Sequence, residues 1–272
     1  AEWEKDFELS EYASKHLNRH KRDDYSGALS GSSGQIVRTL NRNKRKGLDV
    51  NSAEHFLTPI EMITWTSSST IPTAHVHLAI PQNINLACSI FKELNKYLAG
   101  EKKPDAEVRF IQSMIGHGIE REELRDEIFI QLVRQSHDNP SKEQTIRCWS
   151  LLALSTAAFM PNKQLSRYLL TYLRRHLRAS NTSIACYAQF CLDNLHVGRL
   201  SARRFPPSVA EVKAVTALRS LVCRFHLLDG RTKALDLHPA DTAADAVLSL
   251  AAKLGLRNID GWALFEVAPE GE

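Results

Sequence analysis

Charge of one sign does not dominate this chain: 35 Lys and Arg stand against 31 Asp and Glu over 272 residues, a net +4. That balance excludes a chain built as one continuous polycation and leaves the distribution of charge as the informative quantity. Aromatic residues are scarce at 7%, too few to supply base-stacking platforms along a nucleic-acid groove. No CxxC pair occurs among Cys88, Cys148, Cys186, Cys191 and Cys223. An odd number of cysteines, mostly inside apolar runs, predicts buried free thiols in a reducing compartment. The glycine-rich "SGSSGQ" lacks the GK[ST] ending of a phosphate loop, and no G-x-S-x-G elbow is present. His16 and His20 have helical i, i+4 spacing, but "HLNRH" lacks the Glu of a zinc helix. His75 and His77 flank Val76 with no acid near them in sequence. No metal, cofactor or catalytic residue is therefore expected.

Long apolar runs are missing too. The uncharged stretch "CWSLLALSTAAFMPN", residues 148–162, is shorter than the roughly 20 residues a bilayer requires. Bounded by "KEQTIR" and "PNK", it predicts the buried helix of a bundle, with Trp149 in the core. The opening "AEWEKDFE" carries no apolar leader, so a cytoplasmic location is expected. There the "NTS" sequon at 181–183 would go unused.

What is present is helical periodicity. With 43% hydrophobic residues a sizeable core can form. Phe7, Tyr12, Ala13 and Leu17 predict a short first helix. Residues 24–52, rich in Gly and Ser and carrying Arg42, Lys44, Arg45 and Lys46, read as a mobile surface insertion. Pro59, Pro72 and Pro81 predict a largely irregular stretch over 53–82. From Ile84 the pattern turns helical: Ile84, Ala87, Cys88, Phe91, Leu94 and Leu98 share a face that stops at Gly100. Val108, Ile111, Met114 and Ile115 mark a helix ending in glycines, and Leu124, Ile128 and Leu132 form a ladder in the next. Ser141 with Gln144 predicts a capping box for the Trp149 helix, closed by Pro161. Two amphipathic helices follow. After "RRFPPS" the grammar changes: two strand-like runs surround Asp229-Gly230, a helix capped by Asp241 or Thr242 ends at Gly255, and "GWALFEV" predicts a third strand.

The segments "LRDEIFIQLVRQSHDNP" and "RCWSLLALSTAAFMPNKQLSRYLLTYLRRH" resemble the core signature of the myosin tail homology 4 domain. The residues that carry the likeness are Gln131-Leu132, Asn139-Pro140, the Trp149, Leu151, Leu152, Leu154 helix, and Phe159-x-Pro161. "TPIEMITWTSSSTIPTAHVHL" and "ACSIFKELNKYLAG" look like that family's opening segment and first long helix. "LDGRTKALDLHPADTAADAVLSLAAKLGL" with "GWALFEV" looks like the start of the FERM module that follows in the same family. The resemblance implies a mainly α architecture: a helical bundle followed by a truncated, ubiquitin-like α+β first FERM lobe. The implied division is 1–52 for the N-terminal helix and basic insertion, 53–205 for the helical domain, and 219–272 for the incomplete lobe. It also implies a non-catalytic tail module of an unconventional myosin. A plant-type microtubule kinesin tail or a motorless adaptor with the same tandem would look alike. Cargo would dock through the complete FERM module, and actin only through a motor domain upstream.

One charge feature stands out within that frame. Residues 160–224 hold eleven Lys and Arg against two acids, Asp193 and Glu211. At 100° per residue Arg167, Arg174 and Arg178 fall within about 40° of one another, with Lys163 close by. Arg175, Arg203 and Arg204 lie in the same stretch. A one-signed field steers acidic partners, and the resemblance supplies microtubules, through the acidic tails of tubulin, as the candidate. Nucleic acid is the rival occupant, although no reader motif accompanies the patch.

Overall fold

The computed structural model describes residues 7–25, 55–196, 202–238 and 241–267. Nine α-helices, with a 3-10 turn at Arg22–Tyr25 after the first, precede a β-hairpin and a final helix among them: α1 Leu9–His16, α2 Pro59–Ile63, α3 Pro81–Leu98, α4 Pro104–Glu120, α5 Glu123–Ser136, α6 Lys142–Ala158, α7 Lys163–His176, α8 Thr182–His196, α9 Val209–Thr216, β1 Leu221–His226, β2 Thr232–Leu237 and α10 Ala243–Leu254. None of the described helices is long and apolar enough to cross a membrane.

Local chemistry sets the helix starts. Proline occupies the first turn of α2, α3 and α4, where its missing N–H has no helical partner to lose. Thr58 and Glu61 close a capping box on α2. At α6 the Ser141 hydroxyl accepts from the Gln144 N–H at 3.3 Å, but the expected reciprocal half of the box is made by another residue. The Ser141 N–H donates to Asn139 Oδ1 at 2.8 Å, so the Asn-Pro pair and the cap act together. α4 does not stop at its glycines; it continues through Gly116 and Gly118 to Glu120. A Cβ on Gly118 would sit 2.4 Å from ring carbons of Phe159, so this glycine serves close packing rather than helix termination.

Helix α6 is buried all round from Cys148 to Ala158 and packs on α5, α8, α4, α3 and α9. It shares the centre with α5, which is buried continuously from Glu127 to Ser136. Trp149 is 1% exposed; its ring stacks on Tyr172 with centroids 5.6 Å apart and planes 5° from parallel. Against the expected division at residue 52, α1 belongs to the same core through Leu9, Tyr12, Ala13 and Leu17. Its following segment bridges Leu17 to Val76 and Lys21 to Phe56. Val212 and Val215 of α9 carry that core past residue 205. The expected insertion lies outside the described residues over 26–52, whereas Tyr25, which was assigned to it, is 2% exposed.

Polar side chains fill one part of this core. Arg134 on α5 donates to His75 Nε2 at 2.7 Å, and His75 Nδ1 lies 2.9 Å from Glu127 Oε1. A guanidinium can only donate, so His75 Nε2 accepts and its proton sits on Nδ1, facing Glu127. The other Glu127 oxygen accepts from the Val76 N–H at 2.8 Å. Arg134 also donates to the Tyr25 hydroxyl at 3.2 Å. His20 lies between Tyr25, 2.5 Å from Nδ1, and the Ala74 carbonyl, 3.3 Å from Nε2. Since that carbonyl can only accept, His20 carries its proton on Nε2, and its Nδ1 accepts a hydrogen bond from the Tyr25 hydroxyl. Burial holds His75 and His20 in the neutral form, His20 with its pKa pushed down to about 4. Burial alone would raise the Glu127 pKa, but His75, Gln131 and the Val76 N–H hold it below the ordinary carboxylate range. A carboxylate and a guanidinium are thus linked through one neutral imidazole.

The second unit is small. β1 and β2 pair antiparallel from Leu221↔Leu237 to His226↔Thr232. Asp229 and Gly230 lie in the connection, as the sequence predicts, with Gly230 at φ 80° and its N–H on the Leu227 carbonyl at 3.0 Å. α10 is capped by Thr242 and ends at Gly255 with φ 71°. Leu235, Leu237, Ala246 and Leu250 form its core, with Cys223, Phe225 and Leu264 partly buried against them. The expected third strand does not form: 261–267 has no ladder partner among the described residues. Without paired N–H and C=O groups an apolar, aromatic sequence does not make a strand.

Candidate functional site

Helix α7 presents the basic face. Its start is fixed twice through Asn162, whose side chain accepts from the Leu165 N–H at 2.7 Å and whose own N–H donates to Asp126 Oδ1 at 2.8 Å. Leu165, Tyr168, Leu169, Tyr172 and Leu173 are buried against the bundle; the Tyr172 hydroxyl reaches Ser136 Oγ at 3.0 Å. The side turned to solvent carries Lys163, Arg167 and Arg174, all exposed. α7 ends at His176, so Arg178 stands in the following turn, exposed but no longer placed by helical phase. Leu177, read as part of the apolar side, is 38% exposed for the same reason. Basic residues in the last turn, Arg174, Arg175 and His176, complement the negative end of the helix dipole.

The seven cations expected at the site divide by what they touch. Among the described residues Lys163, Arg167, Arg174 and Arg178 have no ion-pair partner. Arg175 does: both of its terminal nitrogens bond the Glu8 carboxylate. Arg203 forks onto Glu211 at 2.5 and 2.9 Å. Glu211 is 4% exposed and caps α9 together with Ser208, so Arg203 neutralises a buried carboxylate and is committed to the fold. Arg204 lies over the Phe205 ring, 5.0 Å from its centroid. The count of two acids over 160–224 missed Glu8 because the pair spans 167 positions. The available signal was the acidic character of the opening residues.

The histidines assemble differently from either sequence pair. His20 and His75 stack on each other inside the polar core, 5.2 Å between centroids. His16 and His77 instead line a cavity of about 320 Å³ with Glu122, Glu123 and Asp126 at the junction of α1, α5 and α7. Its acidic wall does not continue the basic face. Burial raises the Asp126 pKa to about 6, against the pull of the Asn162 N–H and Arg125. No three His, Cys, Asp or Glu side chains among the described residues are placed to hold a metal ion. The thiols correct another expectation: Cys148 and Cys191 are buried, but Cys186 is exposed, and Cys88 and Cys223 are half-buried.

Comparison with known proteins places this geometry. Residues 111–214 match the MyTH4 domain family and residues 219–272 the RA like domain family. An unconventional myosin heavy chain 6 from Caenorhabditis elegans is 34% identical over 178 residues, covering 65% of this chain and 8% of the relative. A kinesin-like protein KIN-14I from Oryza sativa is 26% identical over 204 residues, covering 72% of this chain and 16% of the relative. The chain thus spans a small part of the curated relatives it matches. The MyTH4-FERM MF1 domain of Dictyostelium discoideum myosin VII superposes with a TM-score of 0.70 at 22% identity, over 91% of this chain and 44% of that one. At that identity the likeness is one of fold. It extends across the helical body and the hairpin unit in the order that the two family matches give. The chain carries a MyTH4 domain followed by an RA-like, FERM-like domain.

Proposed function

We propose that the solvent face of α7 is an electrostatic docking surface for acidic protein segments, with the tails of tubulin as its occupant in a cytoskeletal motor's tail. The observation that carries this reading is the set of four exposed cations without an ion-pair partner among the described residues, Lys163, Arg167, Arg174 and Arg178. A solvated helix face ordinarily mixes signs; this one does not. Arg175 and Arg204 flank the surface, whereas Arg203 is held by Glu211 and is assigned to the fold. Linking an actin-based motor to its cargo is the wider role proposed for the parent protein. The kinesin-like relative keeps a microtubule motor as the second reading, and both readings share the same docking chemistry. Binding, rather than catalysis, is the function proposed for the module.

Microtubule co-sedimentation over a salt series tests this. Wild type is expected to pellet at low ionic strength and to release as salt rises, because exposed charges are screened beyond about 8–10 Å at physiological salt. The combined K163E, R167E, R174E and R178E variant is expected to stay in the supernatant while its circular dichroism is unchanged. Equal pelleting of the two would remove α7 as the site. Retained DNA binding alongside absent microtubule binding would favour the nucleic-acid alternative.

A further inference from the structure

The basic face of α7 runs into an exposed turn. Residues 174–183 read "RRHLRASNTS", so Ser180 follows Arg178 by two positions and Arg174 by six, and all three are exposed. Backbone bonds from the Leu177 N–H to the Arg174 carbonyl at 3.3 Å and from the Ala179 N–H to the His176 carbonyl at 3.1 Å shape the turn. No hydrogen bond among the described residues ties the Ser180 hydroxyl to the fold. The next residue, Asn181, caps α8: its Oδ1 accepts from the Ser183 N–H at 3.0 Å and the Ile184 N–H at 3.4 Å.

Each of these features suits the gain of an anion. Arginines ahead of a serine form a charge pattern that steers a substrate into an acid-lined kinase groove. A turn between helices can be drawn out with few bonds broken, unlike the helical backbone around Ser166 and Thr171 inside α7. A phosphate just before the cap of α8 meets the positive end of that helix, so the fold accommodates it.

We infer that Ser180 is a phosphorylation site that weakens docking on the α7 face. An arginine-directed protein kinase supplies the chemistry. Ser180 Oγ attacks the γ-phosphorus of ATP, the bond from that phosphorus to the bridging oxygen breaks, and ADP leaves. The hydroxyl proton passes to the kinase's catalytic carboxylate. The product carries about −1.5 to −2 charge at pH 7, against the four positive charges of Lys163, Arg167, Arg174 and Arg178. It pairs with Arg178 locally and repels an incoming acidic segment. Arg175, already bound to Glu8, plays no part. This rests on the docking role proposed above and adds its regulation.

The test treats the protein with Mg-ATP and the catalytic subunit of cyclic-AMP-dependent protein kinase, then locates phosphate by mass spectrometry. Fluorescence anisotropy with labelled poly-L-glutamate at low salt reads the docking. Ser180 is expected to be the main site of incorporation, and S180A to lose most of it. The phosphorylated protein is expected to bind about three- to tenfold more weakly, the range open to one or two exposed charge pairs, with the gap closing as salt rises. Unmodified S180A is expected to bind as wild type does, and S180E, with one charge, to fall between. Melting temperatures confirm that every form is folded. If S180A takes up as much phosphate as wild type, or wild type takes up none, Ser180 is not the site and the inference is refuted. If phosphorylated Ser180 leaves binding unchanged while the quadruple reversal on α7 abolishes it, the switch is refuted and the docking face stands. If S180A alone weakens binding as much as the phosphate does, charge is not the cause and the switch is again refuted. If no folded form binds poly-L-glutamate, the docking face falls and the switch falls with it.

Discussion

The helical body and the hairpin unit solve the same problem to different degrees. In the helical body, α5 and α6 are enclosed by neighbours, and the buried Glu127, His75 and Arg134 side chains are joined in one hydrogen-bonded chain. In the hairpin unit one helix covers one face of two strands, while Val222 is 61%, Trp262 52%, Phe265 86% and Val267 88% exposed. A two-stranded sheet is marginal in water without further cover, and apolar side chains left in solvent contribute nothing by burial. Enclosure, more than hydrophobic content, separates a rigid scaffold from an accessory unit. The basic face sits on the scaffold, on a helix whose other side is held by Trp149, Tyr172 and Leu169.

The largest effect expected comes from breaking the polar centre of the helical body. Glu127→Ala leaves the Val76 N–H, the His75 Nδ1–H and the Gln131 side-chain N–H without their acceptor, and Arg134 buried without the carboxylate at the far side of His75. Removing one partner of a buried charge pair costs about 3–5 kcal/mol, comparable to the roughly 3–5 kcal/mol expected for Trp149→Ala through lost transfer energy and cavity formation. Urea unfolding of the two variants measures both. A loss for Glu127→Ala under about 1 kcal/mol would show that this network adds no stability beyond ordinary polar contacts.

An intermediate and local effect is expected in the other unit. Leu250→Ala removes a core side chain of the hairpin unit, where about 2–5 kcal/mol is usual for such a truncation and the unit has little to lose. Residues 219–267 are expected to become protease-sensitive in this variant, with the helical body's unfolding midpoint unchanged. Even in wild type this segment is expected to be cut first, given its exposed edge and apolar surface. Resistance of 219–267 equal to that of α5 and α6 would erase the contrast between the regions.

The same contrast explains what the sequence made legible. Helices came from apolar spacing, a local property, so α3 through α8 could be located from residues such as Leu94, Met114, Leu132 and Leu152. Gly230 and Gly255 gave the turn and the helix end because their positive φ values are local as well. The His20, Tyr25, His75, Glu127 and Arg134 network was invisible, since each residue alone reads as a polar side chain turned to solvent and Tyr25 meets Arg134 across 109 positions. On α7 the phase of Lys163, Arg167 and Arg174 was readable, but the pairing of Arg175 with Glu8 and of Arg203 with Glu211 required the fold. The strand expected at 261–267 failed because strand formation depends on a partner, which periodicity does not report.

The smallest effect expected concerns pH, and it is read within the helical body. His20, buried beside His75, Tyr25, Arg134 and Glu127, has its folded pKa pushed down to about 4 from the ordinary 6.5. Between those values the unfolded chain binds the extra proton, so the His20 contribution is complete above 6.5 and is lost as pH falls towards 4. Asp126, facing the Asn162 N–H, Arg125, Glu122 and Glu127, has its folded pKa raised to about 6 from 3.8. Here the folded state binds the extra proton, so its contribution is complete below 3.8 and is lost as pH rises through 6. The two slopes oppose each other between pH 4 and 6.5, and the wild-type dependence there is expected to be shallow. Asp126→Asn keeps an acceptor for the Asn162 N–H but removes the titration. Near pH 7.5 it is expected to stabilise the protein by on the order of 1–2 kcal/mol and to uncover a steeper loss on acidification. Urea unfolding of both proteins at pH 7.5, 6 and 5 reads the difference. A parallel shift of the two curves would mean that Asp126 titrates alike in the folded and unfolded chains, and that its contact with Asn162 offsets the cost of burying its charge.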